Sequence, residues 1–359
     1  MKITNHSKLK KHAFKAQKTI VKKIVNLPKP ILRKIAGKPV IIDGQTLDVS
    51  VQVILKLFSP PPHYIASVAS TRKQIDGQGP LLAQSDHKDI ITDEFKLDVS
   101  SGDSIRLRRY RHRDASDNNQ PALVFYHGGG YVAGSLESHD LVCQHLAADG
   151  NCTVIAVDYR LAPEHPFPTP VNDGLAAYRH IANNADKFGV GATRLAVGGD
   201  SAGGNLAAVV AQQTKDDNYP PKLQTLWVPW VDISSERASY ELFATRFFLE
   251  RAKMRWFKDH YLSDETDATD PMASPIFGDL KGVAPAVILV AGFDPLRDEG
   301  IEYANKLKEA GVNTKLKVYE TMPHLFPLFA GEIKDAKVAF DDATRTLRRL
   351  YSQSHLKVL

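Results

Sequence analysis

From residue 89 onward the chain alternates two kinds of hydrophobic pattern. "DIITDEFKLDV" and "SIRLRRYRH" switch between apolar and polar residues one by one. That is the period of a strand with one face on a core and the other in water, so the two predict an antiparallel pair. "ASDNNQ" then breaks the chain. Beyond it come near-continuous apolar runs: "ALVFYH", "CTVIAVDY", "RLAVGG", "LQTLWVPW", "PAVILVAG" and "TKLKVYE". Helical patterns lie between them, including 138–149, 171–186, 203–215 and 299–310. Strands that are apolar on both faces and alternate with helices predict an α/β fold. Its core is a mostly parallel sheet of about eight strands with helices on both faces.

Two regions stand outside this alternation. Upstream, Leu47, Val51, Ile54 and Phe58 mark one face of a helix that "SPPPH" stops at Ser59, and residues 63–88 read as one more helix and a loop. Downstream, about fifty residues separate "LWVPW" from "PAVILVAG", and they include the aromatic, charged stretch "SYELFATRFFLERAKMRWFKDHYL". That interval is too long for a simple crossover. Long insertions in α/β enzymes are commonly lids or binding segments, so this one is expected beside the site.

Charge changes the picture at one end. The 359-residue chain has a net charge of +5, yet residues 1–38 hold twelve Lys or Arg and no Asp or Glu. The remainder, 39–359, carries 34 basic against 41 acidic side chains, a net −7. A nucleic-acid-binding domain would put its basic stripe on the folded body, so no nucleic-acid partner is expected. Within the basic head, Ala13, Ala16, Ile20, Ile24 and Leu27 recur at spacings of three and four, with lysines largely off that stripe. Residues 13–27 thus read as a basic amphipathic helix of the kind that lies on an anionic membrane surface. A helix docked on the protein's own body and a frayed tail are the alternatives. No apolar run approaches the roughly 18 residues of a membrane span. The two cysteines, Cys143 and Cys152, have neither metal-ligand nor disulfide-framework spacing. They fit a reducing, cytoplasmic setting, with peripheral membrane contact left open.

The chemistry concentrates in four places. Gly199-Asp200-Ser201-Ala202-Gly203 matches G-x-S-x-G between a strand and a helix. A serine on so tight a turn needs a strained backbone, and glycines on either side remove side chains that would collide. His127-Gly128-Gly129-Gly130 ends the strand "ALVFYH". Acyl transfer passes through a tetrahedral oxyanion, and consecutive glycines let backbone N–H groups turn toward it; the N–H of Ala202 is the expected third donor. His127 sits on the wrong side of the chain order to be the base and is expected to hold its loop. With the order nucleophile, acid, base, Asp294 falls at the strand end in "FDPLRDEG", and His324 lies beyond the next strand. Asp298 is the rival acid, placed in the first turn of the following helix. Ser201, Asp294 and His324 then form a nucleophile, acid and base that need no metal or organic cofactor.

With these motifs and "DYRLAPEHPFP" (158–168), the sequence resembles the bacterial hormone-sensitive-lipase-like esterases of the α/β-hydrolase superfamily over roughly residues 85–350. The resemblance implies an α/β-hydrolase fold with a helical cap. Its parts are a basic extension (1–38), cap helices (39–88), a first part of the core (89–232), a cap insertion (233–270) and the rest of the core (271–359). It implies that Gly129 and Gly130 supply oxyanion donors, and that Arg160 and Glu164 pair beneath the site. Where the family commonly reads His-Gly-Phe, this chain reads His324-Leu325-Phe326, adding bulk beside the base. Tyr131, Trp230, Phe247, Phe248, Trp256, Leu325 and Phe326 are candidates for lining the pocket, or else core. The reading is a serine carboxylesterase for short- to medium-chain acyl esters, with a small-molecule ester as its partner and a homodimer left open. The alternatives are deacetylase, amidase or lactonase chemistry on the same triad, a non-catalytic ligand-binding protein, and a membrane-surface adaptor acting through the basic head.

Overall fold

Neighbouring residues on each central strand face two different cores. Val124, Ile288 and Val290 join one buried cluster, while Leu123, Phe125, Val287 and Leu289 join another on the opposite face. In the computed structural model, which describes residues 22–24, 26–58, 66–82, 87–100, 102–115, 118–324, 326 and 333–352, that period-two pattern builds a single large sheet. Its strands are β3 (Ile90–Asp98), β4 (Ser104–His112), β5 (Gln120–Tyr126), β6 (Thr153–Asp158), β7 (Val190–Asp200), β8 (Gln224–Trp227), β9 (Ala286–Phe293) and β10 (Thr314–Pro323). They lie in the order β10-β9-β8-β7-β5-β6-β4-β3. A separate two-stranded ribbon pairs β1 (Ile41–Ile42) with β2 (Gln45–Thr46).

The alternating segments behave as their pattern requires. β3 and β4 pair antiparallel from Ile90 opposite His112 to Asp98 opposite Ser104, and β4 pairs antiparallel with β6. All remaining pairs in the large sheet are parallel. Helices α5 (Thr169–Asn183), α6 (Ala202–Gln213) and α9 (Arg297–Glu309) cover one face through Val171, Leu206 and Tyr303. Helices α4 (Asp140–Gly150) and α10 (Lys334–Ser352) cover the other through Leu146, Phe340 and Leu347. Each crossover therefore buries an apolar helix stripe against strands that are apolar on both sides. Cys143 and Cys152 are buried and free. Among the described residues no helix is long and apolar enough to cross a membrane.

The remaining helices come from two segments outside the strand–helix alternation. Upstream are α1 (Lys29–Ala36), α2 (Val49–Phe58) and α3 (Val68–Leu82); α7 (Ala238–Leu242) and α8 (Arg251–Tyr261) lie in the insertion between β8 and β9. Val51 and Ile54 are buried on α2 as their spacing predicts, whereas Leu47, buried too, precedes the helix, which runs to Phe58. Residues 63–65 and 83–86 lie outside the described residues, as does most of the 13–27 stripe, of which only Lys22, Lys23 and Ile24 are described as helical. The ribbon is tied to the core where Asp48 N–H donates to the Thr321 carbonyl (3.0 Å) and Arg297 pairs with Asp43 (2.9 Å). The insertion is tied in where Phe167 N–H donates to the Tyr261 carbonyl (2.8 Å). Between the upstream helices and the insertion lies a cleft of about 860 Å³, walled by Val40, Leu47, Leu55, Leu242 and Phe247 among others.

One contact joins the two groups of helices directly. Lys253 on α8 donates from Nζ to Thr71 Oγ1 on α3 (2.9 Å) while lying 3.7 Å above the Trp256 ring. Burial pushes the Lys253 ammonium down to about 8 from the ordinary 10.5. Within that window the unfolded chain holds a proton that the folded protein has released, so folding gains stability as pH rises through it. Denaturant midpoints of wild type and Lys253→Met, measured below about pH 8 and again near pH 10, test this. The difference should move in favour of wild type at the higher pH. A difference independent of pH would mean that burial does not shift this amine.

Candidate active site

Four parallel strands end at the residues that matter. β5 runs out at Tyr126, β7 at Asp200, β9 at Phe293 and β10 at Pro323, each immediately before His127, Ser201, Asp294 and His324. The carboxyl edge of a parallel sheet is where such folds gather functional groups, because the chain turns there from strand into helix or loop.

Ser201 sits between β7 and α6 with φ 56° and ψ −120°. For a residue with a β-carbon this conformation costs on the order of 1–3 kcal/mol, and the surroundings over-determine it. Its N–H donates to the Trp227 carbonyl (2.8 Å), and its own carbonyl accepts from Asn205 (3.0 Å) and Trp230 (3.2 Å). The flanking glycines are needed for close approach. A β-carbon on Gly203 would sit 2.0 Å from the Tyr126 carbonyl oxygen, and one on Gly199 would sit 2.3 Å from the same atom. The steric partner of both glycines is thus the end of the neighbouring strand.

The structure brings Ser201, His324 and Asp294 into one line. His324 Nε2 lies 3.0 Å from Ser201 Oγ, and Nδ1 lies 2.8 Å from Asp294 Oδ2. A carboxylate only accepts, so Nδ1–H donates to Asp294, and in that tautomer Nε2 is free to accept from the serine hydroxyl. Asp294 is fully buried and is further held by the Leu296 N–H, which donates to Oδ1 (2.9 Å). Asp298 points elsewhere: its carboxylate accepts from the Ser239 N–H (2.8 Å) and from Arg297 Nε (2.8 Å).

The loop after β5 curls beside Ser201. Gly129 (φ 126°), Gly130 (φ 62°) and Tyr131 (φ 62°) follow one another with positive φ. Among the described residues no group accepts from the N–H of Gly129 or Gly130. Ala202 opens α6, whose N-terminus carries partial positive charge. Asp200 holds the loop's near end, its Oδ1 accepting from the Gly128 N–H (3.0 Å). Burial alone would raise that carboxyl, but the neighbouring His139 (3.2 Å) and the Gly128 N–H outweigh it, leaving it below the usual range.

His127 is oriented away from proton transfer with Ser201. Its Nδ1 bonds the Gly128 carbonyl (2.9 Å), and its ring stacks on Tyr159 with centroids 4.3 Å apart. Burial, reinforced by His139, pushes the imidazole down to about 4, so it is neutral.

The other expected site residues fall in several places. Tyr131 is fully buried, stacked on Tyr261 (3.9 Å), and donates to Asn205 Oδ1 (2.7 Å). Phe326 packs on Tyr319 in the core (5.2 Å). Trp230 walls a cavity of about 380 Å³ inside the insertion, Phe247 walls the larger cleft, and Leu325 lies outside the described residues. One expectation is corrected. Arg160 does not pair with Glu164 but forks onto the buried Asp173 of α5 (2.9 and 2.7 Å) and reaches Asp103 (2.7 Å). A carboxylate 1% exposed needs that countercharge, whereas Glu164 faces solvent and α3, where Arg72 meets it. Sequence reasoning also missed Asn205, whose amide donates to the Trp230 (2.6 Å) and Ala273 (2.7 Å) carbonyls and so fixes the start of the insertion.

Against known proteins, residues 123–328 match a family model described as an alpha/beta hydrolase fold. The chain is 40% identical over 324 residues to a Mycobacterium tuberculosis protein named carboxylic ester hydrolase LipN, covering 85% of this chain and 84% of that one. It is 38% identical over 280 residues to an ethyl acetate hydrolase of Pseudomonas putida, covering 77% of this chain and 88% of that one. Among solved structures, an ester hydrolase from a Lake Arreo metagenome, complexed with a bipyridine phosphonate derivative, superposes with a TM-score of 0.81 at 39% identity. That match covers 86% of this chain and all (100%) of the other. The chain belongs to the α/β-hydrolase superfamily, and within it to the hormone-sensitive-lipase-like carboxylesterases. It is a carboxylic ester hydrolase.

The turn's packing makes a stability prediction. Gly203→Ala forces a methyl group against the Tyr126 carbonyl, and overpacking of this kind costs roughly 1–3 kcal/mol. Chemical denaturation should show a lowered midpoint, with ester turnover reduced alongside it. A variant as stable as wild type would mean the strand and helix can part at no cost.

Proposed function

We propose that the protein hydrolyses short- to medium-chain acyl esters through a covalent acyl-enzyme on Ser201, with His324 as general base and acid and Asp294 as its orienting partner. The observation that carries this reading is the unbroken line Ser201 Oγ–His324–Asp294, at 3.0 and 2.8 Å, on a strained turn at the sheet's carboxyl edge.

Ser201 Oγ attacks the ester carbonyl carbon while its proton passes to His324 Nε2. Asp294, fixed on Nδ1–H, keeps the imidazole in the tautomer that can accept that proton and stabilises the imidazolium that results. The carbonyl's electron pair moves onto oxygen. In this reading the N–H groups of Gly129, Gly130 and Ala202 receive the oxyanion, with α6 adding its dipole. The tetrahedral adduct collapses as His324 returns the proton to the leaving alkoxide. Water, deprotonated by the same imidazole, then repeats the sequence and releases the acid.

Small esters suit a nucleophile that is only 8% exposed and enclosed by the upstream helices and the insertion, which act here as a cap. One relative is named for ethyl acetate, a very small ester. The larger cleft lies between the two cap segments, with Phe247 on its wall.

Hydrolysis of p-nitrophenyl acetate, butyrate, octanoate and laurate at mildly alkaline pH, with Ser201→Ala in parallel, tests this. Acetate or butyrate should turn over fastest, and the variant should lose at least about a thousandfold in kcat. Turnover that survives in Ser201→Ala, or an optimum at laurate, would overturn the assignment of nucleophile or of substrate size respectively.

A further inference from the structure

Helix α3 lies outside the sheet, yet its side chains reach the loop beside Ser201. Arg72 Nε donates to the Val132 carbonyl (2.8 Å), and Nη2 donates to the Ala162 carbonyl (2.9 Å). The same guanidinium forks onto Glu164, Nη1 to Oε1 at 2.9 Å and Nη2 to Oε2 at 2.5 Å. One turn along α3, Asp76 Oδ1 accepts from Ser135 Oγ (2.7 Å). Residues 132 and 162 are both fully buried.

The Val132 carbonyl belongs to the turn that carries Gly129 and Gly130, and Ala162, in the loop after β6, is hydrogen-bonded to that turn. The Val132 and Ala133 N–H groups both donate to the Gly129 carbonyl (3.2 and 3.0 Å), and the Ala162 N–H donates to the Tyr131 carbonyl (2.9 Å). The turn is thus hinged on one shared acceptor and carries three consecutive positive φ values, one of them at a tyrosine. Such a backbone keeps its shape only under outside restraint. A planar guanidinium supplies that restraint, because its donors are fixed relative to one another before either bond forms. Glu164 is 55% exposed, so its ion pair adds little binding strength of its own. The restraint on the backbone therefore comes from the two carbonyl bonds, not from the ion pair. The Arg72 guanidinium holds the Glu164 carboxyl down at about 2, so the fork stays charged in any ordinary assay.

We propose that Arg72 is a positioning residue for acyl transfer: a guanidinium carried by helix α3 that caps the Val132 and Ala162 carbonyls and thereby sets the aim of the Gly129 and Gly130 N–H groups. The proposal rests on the oxyanion role given to those glycines above. It makes the seating of α3 a condition for a competent site, so covering the substrate and completing the oxyanion hole become one event.

The test compares wild type with Arg72→Ala, Arg72→Lys and Glu164→Gln on p-nitrophenyl butyrate. It adds two inhibitors of matching shape, a trifluoromethyl ketone and the alcohol from its reduction. The ketone forms a bond from Ser201 Oγ to its carbonyl carbon, with the serine proton moving to His324 and the carbonyl electrons to oxygen, so its affinity reads the oxyanion hole. The alcohol reads the pocket alone. Arg72→Ala should lower kcat by about 10-fold or more and weaken the ketone by a similar factor, while KM and alcohol affinity move less than about twofold. Arg72→Lys should recover little, since an ammonium cannot cap both carbonyls in one plane, and Glu164→Gln should lie near wild type. Should Arg72→Ala fail to fold, Arg72→Lys gives the same readout. Full kcat in a folded Arg72 variant, or a loss confined to KM and melting temperature, would overturn the proposal. If Ser201→Ala abolishes turnover and the Arg72 variants keep it, only this inference fails. If Ser201→Ala leaves turnover intact, the underlying reading fails first.

Discussion

A single close approach governs this protein: the carbonyl end of β5 at Tyr126 lies against the first turn of α6 at Gly203, where a β-carbon would come within 2.0 Å. That contact lets β7 turn into α6 with one residue at the apex, and the apex is Ser201, held at φ 56°. The conformation is costly and persists because three backbone hydrogen bonds and two flanking glycines leave no alternative. Everything else in the site is placed relative to that point. β9 delivers Asp294, β10 delivers His324, and β5 delivers the glycine loop, each at its first residues beyond the sheet.

A second layer keeps those residues in register. Asp200, the residue before the apex, takes the Gly128 N–H and so links the serine turn to the glycine loop. Tyr159 donates to the His127 carbonyl at 2.6 Å while its ring stacks on the imidazole, fixing the loop from below. From above, α3 and α8 close over the same loop. Phe257 lies so near Gly130 that a β-carbon there would meet its ring at 2.2 Å. The glycines of the loop thus serve packing as well as N–H exposure, and substituting one disturbs both.

What the sequence could reveal follows from how local each signal is. Apolar runs such as "ALVFY" and "AVILVAG" identify strands because both faces are buried, and the serine and glycine motifs are legible because a tight turn fixes spacing along the chain. The amphipathic α10 is equally legible, its buried residues Ala336, Phe340, Ala343 and Leu347 recurring at helical spacing. Pairings between distant segments carry no such signal. Arg72 and Glu164 are 92 positions apart, and Arg160 had a plausible neighbour in Glu164 that the fold turns away from it. Tyr131 and Phe326 look like pocket aromatics by position, yet ring contacts with Tyr261 and Tyr319 place both in buried clusters.

In the proposed mechanism the strained turn presents a hydroxyl that His324 activates. The most direct measurement is mass-spectrometric mapping after brief exposure to a small activated phosphonate ester, in wild type and in His324→Ala. A single adduct on the peptide bearing Ser201, formed rapidly in wild type and slowed by orders of magnitude in the variant, is the predicted result. Labelling at another residue, or equal labelling with and without the imidazole, would contradict it.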